Sequence, residues 1–232
     1  DTAGTLLWTA NAVGTLAADV EIDENENVYV LGSLYHLVNP ITWDYDVKLT
    51  KFNSIGSLMW TNNYDFGGYN FATRMTYVNH RISAIGYGNA SGIKWETFQT
   101  DTNGILLWSS PYTLPSHPTA SDEYPHYVLA KPNGEVIVTG VGSPTPNPSS
   151  PSFNQMPIVQ YSNTGVQNWV STPNIYAGTG LATHIASDGS LFAIGSRNMF
   201  VFHYDNMTTS INSHLQNDNA VKIYPNPFTN TT

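Results

Sequence analysis

One short pattern, a glycine followed four residues later by a tryptophan, occurs four times along the chain. The copies begin and end at Gly4 and Trp8, Gly56 and Trp60, Gly104 and Trp108, and Gly165 and Trp169. A second pattern, a β-rich run ending in glycine, occurs at 28–32, 82–86, 136–140 and 191–195, and its last glycines are 54, 54 and 55 residues apart. Such regular spacing indicates that one structural unit of about fifty residues is repeated.

Each repeat contains four short runs typical of β-strands, which we name A to D in chain order. The third run alternates apolar and polar residues, as in 94–100, and alternation with a period of two is typical of a strand. Short polar turns that end in glycine, such as 101–104, join C to D and are typical of tight hairpins. The sequence therefore predicts an all-β fold, a β-propeller of four-stranded antiparallel blades with four blade repeats visible.

The hairpin and tryptophan at 101–108, Asp-Thr-Asn-Gly-Ile-Leu-Leu-Trp, resemble the tryptophan-docking repeat of quinoprotein-type β-propellers. The resemblance is a loose pattern over nearly the whole chain. It implies that the repeated glycines and tryptophans lock adjacent blades together, and regular recurrence of a large aromatic also favours a structural role. The redox cofactor of those enzymes is not implied, because the chain has no cysteine to match their vicinal pair. We expect no cofactor.

The number of blades is open at this point, because the first strand, Leu6 to Trp8, is a D strand without its own C strand. It could pair with the C strand at 199–206 and close a four-bladed ring. Alternatively, the chain is the last part of a longer propeller. We expect the second arrangement, because the chain starts within a hairpin and without the basic and apolar segments of a signal peptide.

The charge balance excludes two classes of partner. The chain carries 8 Lys and Arg against 17 Asp and Glu, a formal net charge of −9. This gives no basic stripe that could neutralise phosphates or anionic lipid headgroups. Together with the lack of a long apolar run, it predicts neither nucleic-acid binding nor membrane insertion.

Motifs for catalysis or metal binding are missing from the sequence. The seven histidines show no zinc spacing, and neither a nucleophile elbow nor a phosphate-binding loop occurs. Residues 23–27 carry oxygen ligands at alternate positions but lack the glycine and distal glutamate of a calcium loop, so a solvated turn is favoured. We therefore predict no metal site and a chain that is not an enzyme. A secreted polysaccharide-active enzyme and a structural surface or assembly component remain as alternatives.

The long, irregular segments between strands B and C and between D and A are predicted to share one face of the propeller. Aromatic, acidic and amide side chains concentrate there, which suits stacking on sugars or an aromatic-rich protein interface. Binding of an extracellular glycan or protein is therefore predicted at this face. Its candidate ligand-binding residues are Tyr35, His36, Trp43, Asp44, Tyr45, Tyr64, Tyr69, Tyr112 and Tyr124.

The C-terminal segment departs from the repeat. Residues 1–211 are assigned to the blades, and 212–220 form an Asn-rich polar linker. The residues that follow are Val221, Lys222, Ile223, Tyr224, Pro225, Asn226 and Pro227. They resemble the opening of the type A C-terminal sorting domain of the Bacteroidota type IX secretion system. The resemblance, which makes 221–232 the start of that domain, implies recognition by the type IX machinery and a secreted or outer-surface location.

Overall fold

The computed structural model describes residues 4–12, 15–39, 41–89, 94–113, 123–142, 155–173, 179–196 and 200–205. These residues form fifteen β-strands and no helix. In particular, the described residues contain no helix long and apolar enough to cross a membrane. The predicted all-β class is thereby confirmed.

The strands form four antiparallel sheets, each contiguous in sequence. Blade 1 contains β1 (Thr15–Ile22), β2 (Val28–Asn39), β3 (Thr42–Phe52) and β4 (Leu58–Tyr64). Blade 2 contains β5 (Asn70–Val78), β6 (Arg81–Gly88), β7 (Lys94–Asp101) and β8 (Leu106–Tyr112). Blade 3 contains β9 (Glu123–Ala130), β10 (Val136–Gly142), β11 (Ile158–Tyr161) and β12 (Gln167–Ser171). Blade 4 contains β13 (Gly180–Ile185), β14 (Leu191–Gly195) and β15 (Val201–Tyr204). This arrangement confirms the predicted propeller-like repeat of blades.

Successive blades stack face to face, and each contact is an apolar cluster. Tyr29 and Leu31 of blade 1 pack with Ile82 and Phe98 of blade 2. A second cluster joins blades 2 and 3, and a third joins blades 3 and 4. Because alternate residues of a strand point to opposite faces, an inner blade contributes to two clusters at once. The core is therefore distributed between blades rather than held in one centre.

The C-to-D turns share one hydrogen-bond pattern, in which a polar side chain accepts from two backbone N–H groups. The accepting side chain differs between blades. In blade 2 the Asp101 carboxylate accepts from the backbone N–H groups of Asn103 and Ile105, both within 2.9 Å. In blade 3 the Ser162 hydroxyl accepts from Thr164 and Val166. Short polar side chains stabilise turns in this way. The closing glycine, such as Gly165 at φ +81°, takes a left-handed conformation that other residues adopt with strain.

Three of the repeated tryptophans lie against the C-to-D turn of the next blade. A Cβ added at Gly56 would come within 2.7 Å of the Trp8 ring, and Gly104 and Gly165 stand in the same relation to Trp60 and Trp108. Trp8 also donates its indole N–H to the Ser54 carbonyl at 3.0 Å. Trp60 and Trp108 therefore join the fourth strand of one blade to the C-to-D turn of the next blade. Trp8 makes the same contact with the turn of blade 1. The fourth, Trp169, packs edge-on against Tyr204 of blade 4, and Gly4 has no neighbour that a Cβ would meet.

Two local expectations differ from the structure. The segment from Leu34 to Tyr45 is one of the long, irregular segments expected between strands B and C, but it belongs largely to β2 and β3, which remain paired from Tyr35 and Tyr45 out to Asn39 and Thr42. Ring closure by residues 6–8 is not seen in the described part of the chain, where β15 pairs with β14 and residues 4–12 form no strand. The linker and the residues from Val221 onward lie outside the described residues.

Candidate functional site

The β2–β3 hairpin extends beyond the rest of blade 1 as a two-stranded ribbon. The pairing of β1 and β4 with this hairpin ends at Leu34 and Val47. Past that point Tyr35 lies opposite Tyr45, and Leu37 lies opposite Trp43. Residues at alternate positions share a face of a strand, so one face of the ribbon is covered with large apolar side chains.

The rings on this ribbon pack closely against one another. Tyr35 and Trp43 are stacked, with ring centroids 4.1 Å apart and planes 11° from parallel. Tyr35 and Tyr45 lie 4.7 Å apart. Trp43 and Tyr35 nevertheless remain 43% and 42% exposed. Packing between aromatic rings holds each in a fixed orientation, so the ribbon presents rigid rings to solvent.

Blade 2 completes a cleft beside the ribbon. Phe71, near the start of β5, packs against Tyr45 at 4.5 Å, and Tyr69 meets Tyr45 edge-on at 6.0 Å. The cleft has a volume of about 410 Å³ and is lined by Tyr35, Ile41, Trp43, Tyr45, Tyr69 and Phe71. Its size falls in the range of small-molecule sites. Its lining contains no charged side chain, and we call it the aromatic cleft.

The aromatic surface continues past the cleft to blade 3. Phe71 stacks with Tyr87 of β6 at 5.2 Å, and Tyr87 meets Tyr124 of β9 edge-on at 4.8 Å. A row of rings in mutual contact therefore runs from the blade 1 ribbon over the end of blade 2 formed by the start of β5 and the end of β6. Desolvation and the neighbouring phenols raise the pKa values of Tyr35 and Tyr87 above the usual 10.0. These hydroxyls thus stay protonated at neutral pH and can donate hydrogen bonds.

The structure separates the nine predicted ligand-binding residues into three groups. Tyr35, Trp43, Tyr45 and Tyr69 line the cleft, and Tyr124 joins it through the row of rings. His36 and Asp44 lie opposite each other on the other face of the ribbon, where His36 Nδ1 is 3.7 Å from an oxygen of Asp46.

The prediction that Tyr64 and Tyr112 bind a ligand is wrong, because both side chains are buried between blades. Tyr64 donates its hydroxyl to the Gly104 carbonyl at 2.7 Å, and Tyr112 packs against Trp95. Their burial follows from their position at the ends of β4 and β8, which are still part of the blade stacks. They support the scaffold and are not accessible to a ligand.

Sequence reasoning missed Ile41, Phe71 and Tyr87. Phe71 follows Tyr69 at the period of a strand, and that alternation was the available signal. Tyr87 directly follows Gly86, the end of a repeated run. Its ring is partly buried and is placed by Phe71 of its own blade and by Tyr124 of blade 3, a long-range arrangement that no local pattern indicates.

A buried carboxyl group, Glu96, was also missed. It lies opposite Gly86 and Pro111 in β7, on the face that carries Phe98. Burial raises the pKa of Glu96 to about 7, although Lys94 opposes the shift. A carboxyl group that titrates near neutrality can exchange protons in that range. It does not line the aromatic cleft.

Residues 23–27 form a hydrogen-bonded turn. One Asp23 oxygen accepts from the backbone N–H groups of Asn25 and Asn27 at 2.9 Å, and the other accepts from the Tyr29 hydroxyl at 3.0 Å. Lys51 lies 3.6 Å from the same carboxylate. The acceptor capacity of Asp23 is therefore used within the fold. Across the described ranges, no group of three or more His, Asp or Glu side chains is arranged to hold a metal ion.

No known protein family and no curated protein matches this sequence. Among solved structures, a variant of the apocarotenoid oxygenase of Synechocystis aligns with a TM-score of 0.48 and 9% identity, over 84% of this chain and 49% of that one. A β-fructofuranosidase variant of Bombyx mori, in complex with sucrose, aligns with a TM-score of 0.40 and 11% identity, over 81% and 44%. This chain thus spans about half the length of either structure. A mannose phosphorylase of Leishmania mexicana aligns with a TM-score of 0.29 and 9% identity, over 86% and 87%.

These comparisons correct one expectation from the sequence. The chain was predicted not to be an enzyme, but the solved structures it resembles are an oxygenase, a β-fructofuranosidase and a phosphorylase. The prediction of a non-enzyme, which was drawn from the lack of catalytic motifs, is corrected by this finding. The similarity is too distant to transfer any of these activities, and the candidate site is defined by the geometry of the chain itself.

Proposed function

We propose that this chain recognises a neutral carbohydrate at the aromatic cleft. The observation that carries the proposal is the stacked Tyr35–Trp43 pair, which is half exposed yet held rigidly on the ribbon. The apolar C–H face of a sugar ring can lie on such a flat aromatic surface. The protonated hydroxyls of the cleft tyrosines can meet its hydroxyl groups.

Charge favours a neutral sugar over a polyanionic one. The cleft is lined by uncharged side chains, and the whole chain has a formal net charge of −9. A uronic-acid or sulfated polymer would meet repulsion from this field and find no cation in the cleft lining. A protein partner is the competing occupant, because exposed tryptophan and tyrosine are also enriched at protein interfaces.

Binding measurements with matched variants test the proposal. Isothermal titration with soluble neutral β-glucan, mannan and xylan, alongside polygalacturonate, should show binding to a neutral polymer. Trp43→Ala should weaken that binding at least tenfold, which corresponds to about 1.4 kcal/mol. Its thermal unfolding should stay close to that of the unaltered chain, because the ring lies outside the interblade clusters.

Leu107→Ala is the control, because Leu107 is equally exposed but lies on β8, away from the cleft. It should leave binding unchanged. If no neutral polymer binds, or if Trp43→Ala binds as tightly as the unaltered chain, the carbohydrate proposal is wrong. Capture of a protein that Trp43→Ala loses would instead favour the protein interface.

For location, we propose export by a type IX secretion system with release or attachment at the outer surface. Support comes from the segment Val221 to Pro227 after its polar linker. Truncation of the parent gene before Val221 should hold the protein in the periplasm, while scrambling residues 212–220 should permit export. Secretion of the truncated protein would contradict the proposal.

A further inference from the structure

The aromatic rings beside the cleft form a single stack. Centroids lie 4.1 Å apart for Trp43 and Tyr35, and the two planes are 11° from parallel. Tyr45 follows Tyr35 at 4.7 Å and 33°. Phe71 follows Tyr45 at 4.5 Å and 34°, and Tyr87 follows Phe71 at 5.2 Å and 23°. Because the angles between neighbouring planes are small, each ring lies against the next by its face.

The order of the rings in the stack decides which ring faces are covered. Among the described residues, Trp43 and Tyr45 make no ring contact with each other, although each lies close to Tyr35. They therefore lie on opposite sides of Tyr35. By the same reasoning, Tyr35 and Phe71 lie on opposite sides of Tyr45, and Phe71 separates Tyr45 from Tyr87. The three inner rings thus have both faces occupied and present only their edges to a ligand.

The two ends of the stack differ. At the blade 2 end, the ring of Tyr124 meets Tyr87 edge-on at 4.8 Å. At the ribbon end, Trp43 stacks on Tyr35 alone among the described rings and is 43% exposed. Ile41, two residues before Trp43 at the tip of the ribbon, lines the cleft but is 89% exposed, so it leaves the outer face of the indole open. The stack therefore offers one free ring face, that of Trp43.

A hydrogen-bond donor lies at the rim of that free face. The indole N–H of Trp43 donates to no described residue, whereas that of Trp8 donates to the Ser54 carbonyl at 3.0 Å. Trp43 can therefore offer an apolar face and an N–H group to the same ligand. A pyranose ring has matching features, because it carries C–H groups on its faces and hydroxyl groups around its rim.

We infer that the aromatic cleft binds one sugar ring at a time, on the outer face of Trp43. The inference rests on the proposed carbohydrate recognition and specifies its ligand as a single pyranose unit, either free or part of a longer chain. A surface with several sugar subsites would need several free ring faces, and the stack leaves one. Affinity should therefore depend on the identity of the sugar unit and hardly on the length of the chain that carries it.

A series of ligands of increasing length tests the inference. The probes are the methyl glycoside and the oligosaccharides of two to six units of whichever polymer binds, β-glucan, mannan or xylan, followed by NMR titration of the isotope-labelled chain. From one unit to six, affinity should rise by less than about tenfold, because six equivalent units raise it by about sixfold through number alone. At saturation the methyl glycoside and the hexasaccharide should shift the Trp43 indole signal alike, and neither should shift the Tyr124 amide.

Two substitutions of one residue separate the effect of a ring face from that of apolar bulk. Trp43→Phe keeps a free aromatic face, whereas Trp43→Leu keeps only an apolar side chain. Trp43→Phe should bind the disaccharide at least about threefold more tightly than Trp43→Leu, which is the lower end of what an aromatic contact contributes. Both variants should unfold at the temperature of the unaltered chain, because Trp43 lies outside the interblade clusters.

The outcomes distinguish this inference from the carbohydrate proposal itself. An affinity that rises by more than about tenfold from one unit to six would overturn single-ring binding and leave carbohydrate recognition in place. Equal affinity of Trp43→Phe and Trp43→Leu would overturn it as well, because no ring face would then be needed. If none of the three polymers binds, the carbohydrate proposal fails and single-ring binding fails with it.

Discussion

At the scale of single residues, Glu96 is a carboxyl group whose environment moves its pKa far from the ordinary value. It is a carboxyl group almost removed from solvent on the face of blade 2 that carries Phe98. Burial penalises the ionised form, and the pKa therefore rises to about 7. Folding in this part of the molecule is thus coupled to proton binding.

This coupling predicts how stability depends on pH. Between the ordinary value of 4.5 and about 7, folded Glu96 keeps a proton that the unfolded chain releases. Stability should therefore fall as the pH rises through this window, by roughly 3 kcal/mol at most, since one pKa unit corresponds to about 1.4 kcal/mol. Glu96→Gln should remove this fall, as urea unfolding at a series of pH values would show. Glu26→Gln, in an exposed turn, should retain it, and an unchanged pH profile in Glu96→Gln would refute the assignment.

The tryptophans show which residue roles the sequence could predict. The regular spacing of Trp8, Trp60 and Trp108 indicated docking between blades, and their rings lie at glycines of the next blade. Trp43 and Trp95 both stand in third strands outside that spacing. Trp43 is half exposed, whereas Trp95 is fully buried. The difference arises because β2 and β3 extend beyond β1 and β4, the strands that pair with them. The length of β2 and β3 depends on tertiary pairing rather than on the local sequence pattern.

At the scale of elements, the C-to-D turn is the most demanding part of the repeat. Its glycine needs a left-handed backbone and also provides the surface on which a tryptophan rests. At Gly165, φ is +81° and an added Cβ would lie 2.7 Å from the Trp108 ring. At Gly4, φ is +75° but an added Cβ would meet nothing within 4 Å. A side chain at Gly4 would therefore meet backbone strain alone, whereas a side chain at Gly165 would meet both backbone strain and a steric clash.

Alanine substitution at these glycines should reveal that difference. Gly4→Ala should cost about 1–2 kcal/mol, because only the left-handed conformation is disfavoured. Gly165→Ala should cost clearly more, about 2–4 kcal/mol, because overpacking against Trp108 is added to the strain. Urea unfolding followed by tryptophan fluorescence would measure both. Equal losses at the two sites would show that the Trp108 contact contributes nothing.

At the scale of the whole molecule, stability is shared among three interblade clusters. Within the described residues, blades 2 and 3 each pack on a neighbour with both faces, and blades 1 and 4 each pack on one other blade. In repeat architectures, stability is close to a sum of each unit and its interfaces. The repeat count and blade topology were predictable because the markers recur in the sequence. The exposure of Phe192 and Ile194 was not, because β14 has the same strand pattern as β6 and β10.

Hydrogen exchange of the dilute chain should follow this distribution. Backbone amides of β6, β7 and β10, which lie in inner blades, should exchange most slowly. Amides of β14 and β15 should exchange faster, since one face of blade 4 is open to solvent. Mass spectrometry of peptic fragments can compare these strands within one sample. Equal protection of blade 4 and blade 2 would mean that the blades unfold as one cooperative unit.

The seat of each docking tryptophan on the next repeat also governs how such a chain can change in evolution. From tryptophan to its glycine, the sequence spans 48 residues for Trp8, 44 for Trp60 and 57 for Trp108. The connecting segments absorb this difference while the contact itself is preserved. Duplication or loss of a complete repeat would keep each of these tryptophans next to a glycine of the following repeat, whereas a partial duplication would leave a tryptophan without one. This contact between two residues therefore permits the gene to gain or lose whole blades. It also leaves the loops between the blades free to diverge in length and sequence.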